Sequence, residues 1–233
     1  MSRFTIIVPG YFAQASEYSS LERLLNKQNI STVTVPLSKL DWLPTVGGRS
    51  MLPILKKVDA TVKKMLEKDP QAGLNIIGHS AGGWIARIYL GREPYDVHGD
   101  ISASEAVCPL SKQIKTLITL GTPHRSLEYW TRKNLNFVND NYPGAFYPEI
   151  KYVCVAGKSI LGDIKLGKWL AYNSYKLTCG QGNCWGDGIT PIESAHLAGA
   201  VNLVCEGVRH APSQNHLWYG SAEILQQWID YLE

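Results

Sequence analysis

Apolar positions along the chain fall into two alternating rhythms. Short β-branched runs occur at "FTIIV" (4–8), "STVTV" (31–35), "LNII" (74–77), "IKTLITL" (114–120), "KYVCVA" (151–156) and "VNLVC" (201–205). Their length and composition are those of buried strands. Between them the apolar spacing shifts to three and four residues, which predicts helices near 17–28, 51–68, 81–92, 191–198 and 221–232. In the last of these Ile224, Leu225, Trp228, Ile229 and Leu232 form one stripe. Such alternation implies α/β architecture, a mainly parallel sheet of about six strands with helices on both faces. Right-handed crossovers then make it a doubly wound sandwich. No repeat, low-complexity tract or linker interrupts the pattern, so one domain over residues 1–233 is expected.

Two stretches break the rhythm. Residues 122–150 hold Tyr129, Trp130, Phe137, Tyr142, Phe146 and Tyr147, and residues 157–186 hold Ile160, Leu161, Trp169, Tyr172, Tyr175 and Trp185. Each follows the C-terminal end of a strand, where open α/β sheets place their ligands. They are too aromatic for disorder. They pack either as a satellite core or as cap-like inserts lining a substrate, and the pattern alone leaves both open.

The composition, 45% hydrophobic and 18% charged over 233 residues, suits a sizeable core. A net charge of +3 without a Lys/Arg block argues against a nucleic-acid partner. Lys56, Lys57, Lys63, Lys64 and Lys68 share a predicted helix with the apolar face Leu52, Leu55, Val58, Val62, Met65 and Leu66. This reads as a solvated face, with peripheral contact to anionic lipid as the alternative. No apolar run reaches membrane-spanning length, and the first strand leaves no room for a signal peptide. The expected setting is cytoplasmic, or an organelle lumen or stroma if a transit segment precedes, and the expected state a monomer. Of the cysteines, Cys108, Cys154 and Cys205 read as buried thiols. Cys179 and Cys184 flank a glycine-rich loop and are expected to be free in a reducing compartment. Two cysteines without matching partners make no zinc site, so neither metal nor other cofactor is expected.

The stretch "LNIIGHSAGGWIARIYL" (74–90) passes from strand to helix through Gly78-His79-Ser80-Ala81-Gly82. A serine there is either a helix N-cap or a nucleophile on a tight turn. The strand–turn–helix context of Gly-x-Ser-x-Gly favours the nucleophile, and the helix N-terminus favours developing negative charge. A base and an orienting acid should follow in the order Ser…Asp…His. Asp187 in "WGDGIT" and His210 after "VNLVCEGV" satisfy that order. His216 is the alternative base, and Asp163 and Glu193 are alternative acids. His79 points away from where a base must sit, and His124 precedes the acid. His98 and His196 read as surface or satisfied polar residues. The oxyanion donors should be the amide of Ala81 and one from "VPGYFAQ", Tyr11 first and Phe12 second. Phe12, Trp130 and Trp169 are candidate substrate-binding residues.

Taken together, "GHSAGG", "LGTPH", "GDGITP" and "GVRHAP" in this order resemble the α/β-hydrolase superfamily, most closely its lipase-like members of plant and cyanobacterial type. The resemblance spans nearly the whole chain. It implies a Ser80–Asp187–His210 triad and hydrolysis of carboxylic esters, often of lipids. One departure is Pro9-Gly10 after the first strand, where many relatives have His-Gly. An acyltransferase or thioesterase would use the same triad, and a ligand-binding scaffold without turnover is the third reading.

Overall fold

The computed structural model describes residues 3–97, 113–165 and 167–232, so His98 and Cys108 lie outside the described residues. In chain order the strands are β1 (Arg3–Val8), β2 (Ser31–Thr34), β3 (Gly73–His79), β4 (Ile114–Leu120), β5 (Lys151–Lys158), β6 (Ile160–Leu161), β7 (Trp185–Gly186) and β8 (Val201–Glu206). The helices are α1 (Ser19–Lys27), α2 (Leu52–Leu66), α3 (Ala81–Leu90), α4 (Tyr129–Asn141), α5 (Trp169–Cys179), α6 (Ile192–Ala195) and α7 (Ala222–Leu225). Six strands form one sheet in the order β2-β1-β3-β4-β5-β8, and every neighbouring pair is parallel. β6 and β7 make a separate antiparallel pair.

From β1 the chain turns outward to β2, then returns to lay β3 on the opposite side of β1. That reversal opens a crevice between the carboxyl ends of β1 and β3, the place where open α/β sheets bind ligands. β3 is buried along its whole length, as its unbroken apolar run requires. One sheet face packs on α2, α3 and α4 through residues such as Ile76, Trp84 and Leu135. The other packs on α1 and the C-terminal segment through Tyr18, Leu21, Trp218 and Trp228. On α2 the buried positions Leu55, Val58, Val62 and Met65 follow helical spacing. Its lysines face outward, with Lys57 paired to Asp41 and Lys63 to Asp59.

The edge strand β2 is closed by side chains of α1. Glu22 accepts the amide and hydroxyl of Thr34 at 3.0 and 2.6 Å, and the Asn26 amide pairs with both backbone groups of Thr32. This occupies polar groups that an open edge would offer to another chain.

Three expectations need correction. The helix expected over 191–198 is the single turn α6, because Gly199 follows with φ +79° and the chain leaves the helix at His196. One face of β8 is therefore uncovered, and Val204 is 41% exposed rather than buried. The helix expected over 221–232 is α7 followed by turns and a 3-10 segment, Ile229–Leu232, although its apolar stripe is buried as the spacing demands. The two aromatic stretches carry helices α4 and α5. Few of their residues are buried, so their apolar periodicity is weak.

Candidate active site

Ser80 sits between β3 and α3 with φ 52° and ψ −124°, a backbone conformation that side-chain-bearing residues seldom adopt. Its amide donates to the Leu120 carbonyl at 2.9 Å, which ties the turn to the neighbouring strand. The glycines permit this bend. A Cβ at Gly82 would collide with the Val8 carbonyl oxygen, and one at Gly78 with the backbone of Gly83. No side-chain cap is formed by Ser80, so its hydroxyl is not used as the helix N-cap.

The hydroxyl meets His210 instead, with Oγ 2.9 Å from Nε2. On the other side of the ring Nδ1 lies 2.7 Å from Asp187 Oδ2. Nδ1–H donating to the carboxylate leaves Nε2 as the acceptor facing the serine. Asp187 is held from several directions. The amides of Ile189 and Thr190 donate to Oδ1 at 2.9 and 2.7 Å, and the Tyr219 hydroxyl donates to Oδ2 at 2.6 Å. Burial alone would push the carboxyl up, but His210, Tyr219 and the Thr190 amide hold it below the usual carboxylate range. Gly121 of "LGTPH", at φ +56°, leaves the space that this carboxylate and the Tyr219 hydroxyl occupy.

The rivals take other positions. His216 bonds through Nε2 to the Ala211 carbonyl, Asp163 accepts the Lys165 amide, and Glu193 is exposed on α6. His124 is buried against Arg87, Thr119 and Cys154. His196 is half-buried beside it and lines the same small cavity.

His79 has a part that sequence reasoning did not assign. The Gly10 amide donates to the Tyr18 hydroxyl at 2.9 Å, and that hydroxyl lies 2.7 Å from His79 Nδ1. His79 Nε2 lies 2.9 Å from the His210 carbonyl oxygen. An Nε2–H donating to that carbonyl leaves Nδ1 to accept from Tyr18. The chain of bonds joins the loop after β1 to the loop carrying His210. Burial and the nearby His210 push the His79 imidazole down to about 3, so it is neutral. Neither Tyr18, Tyr219 nor this role of His79 carries a local sequence signal.

A cavity of about 400 Å³ opens at Ser80. Tyr11, Phe12, Trp84, Trp130, Leu177 and Ile189 contribute to its lining. Trp169 does not line it, contrary to expectation. α5 reaches the cavity through Ser174, Leu177 and Thr178, and Trp169 lies at least five residues earlier, about 7 Å along the helix axis from Ser174. The amides of Tyr11, Phe12 and Ala81 have no protein acceptor among the described residues. Phe12 has φ 57°, a second strained backbone next to Ser80. Among the described residues no group of three or more His, Cys, Asp or Glu side chains is arranged to hold a metal, and no helix is long and apolar enough to cross a membrane.

No family model matches the chain, and no curated protein matches it in sequence. Solved structures do match. The chain is similar to phospholipase PlaB from Legionella pneumophila, with a TM-score of 0.61 and 14% identity, over 93% of this chain and 55% of that one. It is similar to a monoacylglycerol lipase from Paleococcus ferrophilus, with a TM-score of 0.55 and 11% identity, over 98% and 93% of the two chains. An alpha-beta serine hydrolase homologue from Coxiella burnetii matches with a TM-score of 0.52 and 12% identity, over 99% and 83%. Likeness at this level of identity speaks for the fold.

Proposed function

The chain has the α/β-hydrolase fold, and on that premise we propose that it is a serine hydrolase of carboxylic esters with an apolar acyl chain. The observation that carries this reading is the unbroken series Ser80 Oγ–His210 Nε2 and His210 Nδ1–Asp187 Oδ2, at 2.9 and 2.7 Å, on a strained serine beside an apolar cavity.

In this reading Ser80 Oγ attacks the ester carbonyl while His210 Nε2 takes its proton. Asp187 keeps the ring in the required tautomer and stabilises the imidazolium. The tetrahedral oxyanion accepts the amides of Ala81 and Tyr11, next to the N-terminus of α3. His210 returns the proton to the leaving alcohol as the carbon–oxygen bond breaks, and an acyl-enzyme remains. A water molecule then repeats the sequence and releases the acid.

Trp84, Trp130, Leu177 and Ile189 form the wall on which an acyl chain would lie. Burial there contributes about 25 cal/mol per Å² of acyl surface. A cavity near 400 Å³ is at the small end of ligand sites, which suits one chain of medium length. Exposed Leu127 and Tyr129 stand next to lining positions and suit a substrate presented at a lipid surface. The phospholipase and the monoacylglycerol lipase among the similar structures agree with an acyl-lipid substrate.

A fluorophosphonate probe and an ester panel test the proposal together. The probe should label Ser80, and Ser80→Ala should neither label nor turn over esters above about a thousandth of the parent rate. Retention of a tenth of that rate by a folded Ser80→Ala protein would overturn it.

A further inference from the structure

α5 ends at Cys179, where Gly180 takes φ +84° and turns the chain back through Gln181, Gly182 and Asn183 to Cys184. The two sulfurs lie 3.9 Å apart. Both thiols also donate to the Gln181 carbonyl, at 3.3 and 3.5 Å, so both point to the inside of the same short loop. Both are half-buried, whereas Cys154 and Cys205 are fully buried on the sheet. A sulfur pair at this separation needs only a small side-chain adjustment to reach the bonding distance of about 2 Å.

The loop joins two parts of the candidate site. Leu177 and Thr178, directly before Cys179, line the cavity. Cys184 leads through β7 into Asp187. Its carbonyl accepts the Gly162 amide at 3.0 Å, which fixes it to the β6–β7 pair. Tyr175 of α5 already spans the same gap, bonding the Gly188 amide and the Ile160 carbonyl at 2.8 and 3.1 Å.

We propose that Cys179 and Cys184 are a redox-active dithiol that closes reversibly to an intramolecular disulfide by exchange with a low-molecular-weight disulfide of the glutathione type. Closure then ties the cavity wall of α5 covalently to the strand that leads into Asp187. One protein thiolate attacks a sulfur of the oxidant, the oxidant's disulfide breaks, and one small thiol leaves. The second protein thiolate attacks the resulting mixed disulfide and expels the second small thiol. The two protons lost by the cysteines end on the two released thiols. The protein pair is oxidised by two electrons and the oxidant reduced by two. Burial and the neighbouring Cys179 sulfur push the Cys184 thiol up while both thiols are reduced.

The test uses the full chain equilibrated with mixtures of oxidised and reduced glutathione. Thiols are counted after unfolding, and the bridge is mapped by mass spectrometry. The chain has five cysteines, so the count should fall from five to three, with the bridge between Cys179 and Cys184. Cys179→Ser and Cys184→Ser should each keep all four of their thiols free or carry a single glutathione adduct. Amide exchange over residues 177–187 should slow by roughly tenfold in the oxidised protein. Five thiols surviving in excess oxidant, a bridge to another cysteine, or unchanged exchange in the bridged form would each overturn the proposal. None of these readouts uses ester turnover, so the inference stands or falls separately from the proposed function.

Discussion

Replacing Tyr219 by phenylalanine removes one buried oxygen and leaves the ring in place. That oxygen donates to Asp187 Oδ2 at 2.6 Å and accepts the Gly157 amide at 2.9 Å. The amide is then left buried with no partner, which costs about 1–3 kcal/mol. A hydrogen bond to a charged group contributes about 1.5–3 kcal/mol. Asp187 keeps His210 Nδ1 and the Ile189 and Thr190 amides, so the lower part of that range applies. The expected destabilisation is about 2.5–5 kcal/mol, or a fall of roughly 5–20 °C in melting temperature for a chain of this size.

Activity should respond differently. The remaining donors still orient the carboxylate, so kcat/KM for a short-chain ester should stay within about tenfold at alkaline pH. Loss of a donor to the charged form moves the Asp187 carboxyl upward from its lowered position. A carboxyl held below its unfolded value contributes stability that is lost as pH falls from the unfolded pKa through the folded one, so in Tyr219→Phe that loss is smaller and is complete at a higher pH. Urea unfolding at several pH values, with ester turnover measured alongside, checks both halves. A stability change under about 0.5 kcal/mol would refute the account of the hydroxyl as a buried, bonded group. An activity loss beyond about a thousandfold at unchanged stability would instead make Tyr219 part of the chemistry.

Three further outcomes are expected. His210→Ala should abolish ester turnover nearly as fully as Ser80→Ala while His216→Ala is mild, and the reverse ranking in steady-state assays would exclude His210 as the base. His79 is neutral when folded, with its imidazole near 3, and titrates near about 6.5 when unfolded, so the unfolded chain binds the extra proton between those values. Stability should therefore fall by about 1.4 kcal/mol per pH unit below about 6.5 on account of His79, and denaturant titrations of His79→Gln should lack that slope. Trp130→Ala should blunt the gain in kcat/KM from acetyl to medium-length esters while Trp169→Ala leaves it intact, and equal effects of the two would contradict the cavity assignment.

What could be read along the chain differs in kind from what could not. The strand runs and the switch at Gly78–Gly82 are local patterns, and β3, Ser80 and α3 follow from them. Asp187 and His210 were legible because glycine-framed turns after strands, in a fixed order, leave few other choices. α4 and α5 were not legible as helices, since exposed helices carry little apolar periodicity. Trp130 and Trp169 looked equivalent because composition does not say which part of a helix reaches a cavity. Tyr18, His79 and Tyr219 were missed for a stronger reason. Their bonds join residues 61, 131 and 32 positions apart, and such contacts leave no spacing to detect. The candidate reacting groups lie at strand ends, whereas the groups that hold them need only be near in space. That asymmetry extends to function. His79 directly precedes Ser80 in sequence, yet its ring bonds the Tyr18 hydroxyl and the His210 carbonyl, so protonation at Nδ1 would break the bond from Tyr18 while the one to His210 persists.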